Sequence, residues 1–203
     1  MINVDKQGAM LRITLNRPQK ANSLTSAMLQ DLIGIVQDAR QNTRVMVLTG
    51  TGKTFSAGAD LDEARAGLAT SDLWETLSGS ISELPCLTIA ALNGTLAGGA
   101  FGMVLACDMR VAVRGAKFFY PVMKLGFLPQ PSDPIRMAAL IGPARAKMIL
   151  MAGQKITADD ALNWGLVERV VDPEFLEQTV SELAYDALNA STDHIAAIKG
   201  LIR

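Results

Sequence analysis

Leu11, Ile13 and Leu15 alternate with Arg12 and Thr14, the two-residue period of a strand covered on one face. This predicts a strand over residues 10–15, paired as a hairpin with residues 2–5 across Lys6-Gln7-Gly8. Asn16-Arg17-Pro18 ends it, because proline has no N–H for the ladder. Asn22, Ser23, Thr25 and Ser26 are candidate helix caps. Behind them Met28, Leu29, Leu32, Ile33, Val36 and Ala39 recur at helical spacing. Residues 45–48 form a continuous apolar run, as in a strand buried on both faces. A loop follows over residues 50–60, then a helix face at Leu73, Leu77, Ile81 and Leu84, stopped by Pro85. A buried strand at 87–92, a glycine-rich turn, a buried helix at about 99–107 and a strand at 109–113 complete a strand–helix–strand rhythm of parallel units. The last third reads as helices at about 133–141, 143–152, 158–163 and 174–200, interrupted by a strand at 167–171. The expectation is a single α/β domain over residues 1–203, with helices dominating from about 131.

Residues 85–107 carry no charge and are long enough to span a bilayer. Asn93 and four glycines, at 94, 98, 99 and 102, favour strand, turn and helix instead, so no membrane partner is expected. With 49% hydrophobic and 19% charged residues, the chain of 203 residues is not a disordered one. Nineteen basic residues against twenty acidic ones leave a net charge of −1, which argues against nucleic acid as a partner. The single histidine, His194, excludes a His-rich metal site. It also leaves no Ser-His-Asp triad unless the terminal helix supplies the base. Cys86 and Cys107 make no disulfide framework, and MINVDKQGAM lacks the apolar stretch of a signal peptide. The expected compartment is reducing and cytoplasmic, with no metal and no separate cofactor.

Three loops are candidates for chemistry. Gly50-Thr51-Gly52-Lys53-Thr54 looks like the tail of a phosphate-binding loop, but the required earlier glycine is Val47 and no helix follows, so a solvated turn is the better reading. Residues 55–61 (Phe-Ser-Ala-Gly-Ala-Asp-Leu) and 93–102 (Asn-Gly-Thr-Leu-Ala-Gly-Gly-Ala-Phe-Gly) each follow a buried strand and offer small residues at a helix start. Side by side, two such starts can aim two backbone N–H groups at one oxygen, although tight packing turns would read the same way. Asp60 is expected to cap the helix after it, with Glu63 as its capping-box partner.

In the order LNRPQKANSL, VLTGTGKTFSAGADL, ALNGTLAGGAFGMVLACD and ALNWGLVERVV, the chain resembles the crotonase superfamily, the enoyl-CoA hydratase/isomerase family. The resemblance spans about residues 10–172. It implies a spiral of ββα units, assembly as trimers or dimers of trimers, and an acyl-CoA substrate whose coenzyme A is part of the substrate. It further implies that Ala59 and Gly99 supply the two oxyanion amides, that Ala57 lies against the adenine, and that Lys20 and Ala21 lie in a CoA-contacting loop. Asp60, Leu61 and Gly98 fall within the same substrate-binding motifs. The family's two hydratase glutamates fall at Gly102 and Val122, neither of which accepts a proton. A glycine-rich stretch is replaced by Phe127-Leu128-Pro129-Gln130-Pro131-Ser132-Asp133-Pro134, and against the family pattern a shortened C-terminal helical portion is expected. The implied function is thioester processing through an enolate, by a decarboxylase, hydrolase or atypical isomerase rather than a standard hydratase. The alternative is a non-catalytic acyl-CoA binder or structural partner subunit. Gln130 falls near a polar residue of the family's decarboxylases and Asp133 near the nucleophilic aspartate of its dehalogenases, while a helix cap before Pro134 is the competing reading for Asp133. Tyr120 reads as packing.

Overall fold

A computed structural model describes residues 1–202. The hairpin is β1 (Ile2–Gln7) and β2 (Met10–Leu15), antiparallel, and it reaches two residues further than the alternation alone suggests because Lys6 and Gln7 still pair with Leu11 and Met10. Helix α1 (Ser26–Asp38) follows, and its N-cap is Thr25, whose side chain accepts from the Met28 amide.

Three ββα units come next. They are β3 (Val45–Gly50), β4 (Thr54–Ser56) and α2 (Leu61–Arg65); β5 (Leu87–Leu92), β6 (Thr95–Ala97) and α4 (Phe101–Leu105); and β7 (Met109–Val113), β8 (Lys117–Phe119) and α5 (Val122–Leu125). Helix α3 (Leu73–Ser82) lies between the first two. The long strands join β1 and β2, and β10 (Arg169–Val171) near the chain's end, in a six-stranded sheet ordered β1-β2-β3-β5-β7-β10, parallel apart from β1. The short strands β4, β6 and β8 run parallel in a second sheet, closed by the antiparallel β9 (Ile156–Thr157). A chain that steps from the long sheet to the short one and then into a helix repeats as one turn of a spiral. The continuous apolar runs fit this: residues 45–49 are all buried, as are 88–92.

The remaining elements are α6 (Ser132–Ile141), α7 (Pro143–Leu150), α8 (Ala158–Trp164), β10 (Arg169–Val171), α9 (Leu176–Asn189) and α10 (Thr192–Ile202). Where one helix was expected over 174–200, Ala190 leaves the helical region with ψ 168 and splits it in two. The helix expected at 99–107 begins as a tight 3-10 turn at Gly98–Ala100. The short strands were invisible in the pattern, because two or three residues show no period. Lys53 sits in a turn entering β4, with no helix at hand to hold a phosphate. Among the described residues no helix is long and apolar enough to cross a membrane. The uncharged segment is instead the buried centre of the spiral, strand β5 through helix α4.

Candidate active site

In parallel strands the carboxyl ends lie together, and the loops leaving them converge. Here β4, β6 and β8 bring the segments 57–61, 98–101 and 120–122 to one place. Two side-chain amides, one buried and one half-buried, fix the strand connections behind them. Asn22, fully buried with φ 51, accepts from the Arg17 amide at 2.8 Å and donates to the carbonyls of Thr51 and Thr54 at 2.9 and 2.7 Å. Asn93 accepts from the Gly50 amide and donates to the Gly52 carbonyl, both at 3.0 Å. Gly94 has no room for a side chain: a Cβ there would lie 2.1 Å from the Lys53 carbonyl oxygen. The sequence marked Asn22 as a candidate cap; its work is to tie three segments together.

Gly58 has φ +89, and a Cβ on it would stand 2.9 Å from the Ala97 carbonyl oxygen and 3.4 Å from the Gly99 nitrogen. The two candidate loops therefore touch backbone to backbone. The Leu24 amide donates to the Gly58 carbonyl, and the Asp60 amide donates to the Leu24 carbonyl, both at 2.8 Å. In an extended chain successive N–H groups alternate sides, so the Ala59 N–H points away from Leu24. Gly99 lies in the first turn running into α4, where an N–H has no partner within the helix. Among the described residues neither amide donates to a backbone or side-chain acceptor. Both residues line a cavity of about 200 Å³, together with Ala57, Leu61, Gly98 and Gln130. Trp74 walls it: its ring atoms lie 3.2–3.3 Å from where a Cβ on Gly99 would stand, and its indole N–H donates to the Leu68 carbonyl at 2.7 Å. Nothing in the sequence singled out Trp74, since a helix position facing the core reads as packing.

Asp60 does not line this cavity. Its carboxylate accepts from Arg17 at 2.7 Å and from the Asp62 amide at 3.2 Å, so it caps α2 and anchors the loop. The same Arg17 nitrogen donates to the Ser23 carbonyl and hydroxyl. The hydrogen bond from Arg17 holds the Asp60 carboxyl below the usual carboxylate range. Glu63 is not the capping-box partner expected. It reaches back to the Ser26 amide and hydroxyl, both at 2.6 Å, and serves α1 instead. Lys20 is exposed beside Ala21, whose carbonyl accepts from the amide of the wall residue Ala57 at 3.0 Å; neither Lys20 nor Ala21 lines the cavity.

Asp133 is not a cap either. Helix α6 starts one residue earlier, at Ser132, whose amide and hydroxyl donate to Glu75 at 3.3 and 3.0 Å. Asp133 is fully buried, and its Oδ2 accepts from the Tyr120 hydroxyl at 2.9 Å. Its Oδ1 is the one buried side-chain oxygen or nitrogen among the described residues without a partner. Burial pushes its carboxyl up to about 7. It does not itself line the cavity, and reaches it only through Tyr120, which does. Gln130 does line the wall, its amide 3.4 Å from the Ala69 carbonyl. Val122 adds an apolar side chain, and Gly102 lies under Asp133. His194 lines a separate groove between α9 and α10, so no triad forms at the cavity. Among the described residues no group of three His, Cys, Asp or Glu side chains is placed to hold a metal ion.

The arrangement puts two unpartnered main-chain donors on one largely apolar cavity, where a single oxygen can meet both. Comparison with known proteins points the same way. A profile of the enoyl-CoA hydratase/isomerase family matches residues 5–203. YngF of Bacillus subtilis (strain 168) is 40% identical over 188 residues, which are 88% of this chain and 72% of that protein. The carnitinyl-CoA dehydratase of Salmonella typhi is 36% identical over 211 residues, covering 100% of this chain and 80% of the dehydratase. Among solved structures, an enoyl-CoA hydratase from Bacillus anthracis superposes with a TM-score of 0.92 at 36% identity, over 99% of this chain and 81% of the other. Pseudomonas aeruginosa DspI gives 0.91 at 32% identity, over 99% and 85%. The ββα spiral, the paired glycine-bearing loops at the ends of its short strands and these similarities have one explanation: the chain belongs to the enoyl-CoA hydratase/isomerase family, the crotonase superfamily.

Proposed function

We propose that the chain binds an acyl-CoA thioester with its acyl oxygen between the amides of Ala59 and Gly99, and that it acts through an enolate without a glutamate pair. The single observation that supports this best is the backbone contact of Gly58 with Gly98 and Gly99, which holds the two unpartnered amides at one cavity. Preorganised donors of this kind are worth most where charge develops, roughly 3 kcal/mol for each donor at the transition state. Ala57, Leu61, Gly98 and Gln130 would then contact the substrate, with Lys20 and Ala21 at the coenzyme end.

Hydration needs a group that activates water and another that serves the α-carbon. Gly102 and Val122, where the family resemblance puts those groups, supply neither. Reactions that make the enolate by another route ask less of the site. In a decarboxylation, for example, the electron pair of the departing carboxylate flows into the thioester, the two amides hold the resulting oxyanion, and one proton returns to carbon. We therefore favour a decarboxylase, hydrolase or atypical isomerase over a hydratase, although relatives carry hydratase and dehydratase names. Three measurements test the reading. Butyryl-CoA is expected to bind in calorimetry, and no CoA ester binding at all would overturn it. Crotonyl-CoA is expected to show no hydration at ordinary enzyme rates, since acid–base help is worth about 10²–10⁴-fold; efficient hydration would refute the departure from the hydratases. Binding with no turnover across a panel of acyl-CoAs would establish the non-catalytic binder instead.

A further inference from the structure

We propose that Tyr120 moves the proton at the carbon next to the thioester, and that Asp133 behind it is the positioning carboxyl that accepts and returns that proton. The inference rests on the acyl-CoA reading above and adds to it the group that serves the α-carbon.

Four observations carry it. Tyr120 lines the same cavity as Ala59 and Gly99. Its ring is stacked on Phe101, two residues beyond Gly99, with centroids 5.4 Å apart and 15° between planes, so its position is fixed relative to the donor turn. Its hydroxyl is engaged by Asp133 Oδ2. Asp133 Oδ1 is then left buried and unpartnered, which is expensive for a side chain with only a packing task; an amide or an apolar residue would pack there at less cost. That oxygen sits 3.0 Å from where a Cβ on Gly102 would stand. Gly102 lies three residues after Gly99, on the same face of the helix start. The missing side chain at 102 thus makes the room that a carboxyl from α6 occupies.

The step balances as a relay. The Cα–H bond breaks, and its electron pair delocalises onto the thioester oxygen held by the two amides. The proton binds Tyr120 Oη while the hydroxyl's own proton passes to Asp133 Oδ2, so the carboxylate becomes a carboxylic acid. Return of a proton to the enolate is the reverse. Neutral Tyr120 suffices, as burial and the neighbouring Asp133 hold its hydroxyl far above ordinary ionisation. Burial is the main influence on Asp133, opposed by the Tyr120 hydrogen bond and by Arg136 on its own helix and assisted by Glu75 of α3. Helix α4, packed on α6, carries no ionisable side chain; α7 turns Arg145 to Trp164 and Lys147 to an outer hollow.

The test is exchange of the α-protons of butyryl-CoA in buffered D₂O, read by mass spectrometry, with binding measured in parallel on the full chain. The wild type is expected to exchange, with a rate that rises as Asp133 loses its proton, around pH 7. Asp133→Asn keeps a hydrogen-bonding partner for Tyr120 but takes up no proton. It should lower exchange by about 10²–10⁴-fold, flatten the pH profile and leave butyryl-CoA binding unchanged. Tyr120→Phe should lose exchange in the same way, and with the wild-type profile it carries the test should Asp133→Asn not fold. Wild-type binding without exchange overturns the proposal, as does an Asp133→Asn variant with wild-type rate and pH dependence. A chain that binds no butyryl-CoA fails earlier, at the acyl-CoA reading itself.

Discussion

Gly58→Ala tests whether two backbones in contact set the oxyanion geometry. The new Cβ would stand 2.9 Å from the Ala97 carbonyl oxygen, about half an ångström inside ordinary contact, and 3.3 Å from Gly98 Cα. Both neighbours are main chain in and beside β6, so neither can swing aside. At φ +89 the alanine is also strained where glycine is not. Left-handed backbone costs about 1–2 kcal/mol, and overpacking adds about 1–3 kcal/mol. For a chain of this size a loss of about 2–5 kcal/mol lowers Tm by roughly 4–20 °C. The larger effect falls on activity. The contact is relieved by separating the loops that carry Ala59 and Gly99, and removing one oxyanion donor costs about 10²–10³-fold. Calorimetric melting together with α-proton exchange on butyryl-CoA measures both quantities. A Gly58→Ala protein that keeps its Tm and its rate would refute the rigid coupling of the two loops.

Arg17→Met should detach the 57–60 loop from Ser23 and weaken substrate binding more than it alters the core, as binding and melting curves would show. Because Arg17 lowers the Asp60 carboxyl, that pair stabilises the wild type above the ordinary carboxylate range and its contribution is lost as pH falls through the depressed value; the variant should show a shallower acid limb in stability below the ordinary carboxylate range. Cys86 and Cys107 are buried, with thiols pushed up by burial to about 11 and about 12, so iodoacetamide at pH 8 should label neither until the protein unfolds. Labelling of the native protein at the rate of a free thiol would contradict their placement. Exposed Met123, Leu125, Leu128 and Ile135 suit a subunit contact, and light scattering is expected to find three or six chains per particle rather than one.

The long elements were legible because burial writes a period into them. The run at 45–48 and the stripe from Met28 to Val36 could be read directly, and both are in place. The short strands β4, β6 and β8 were not, though they are what brings the loops together; three residues are too few to alternate visibly. Ala59 and Gly99 were reached through motif resemblance, and spacing alone left them as packing turns. Asp133 was visible as a residue but not as a neighbour of Tyr120 and Gly102, because a contact between α6 and the start of α4 depends on how the helices pack. Glu75 and Glu63 show the same limit. Each caps a helix far from it in sequence, where local patterns predict only near partners.

The donors of this cavity are main-chain amides, and every residue but proline has one. No ordinary substitution at 59 or 99 deletes the donor itself; what can be lost is its placement, held by glycines with no space to grow. On the proposed function, the information that places the oxyanion donors is therefore stored as absent atoms, while proton handling is stored in whatever side chains surround them. A lineage can discard one set of acids and bases and recruit another from a different helix without rebuilding the electrostatic centre, and a designer who wishes to change the reaction can leave positions 58, 94 and 99 untouched and vary the walls.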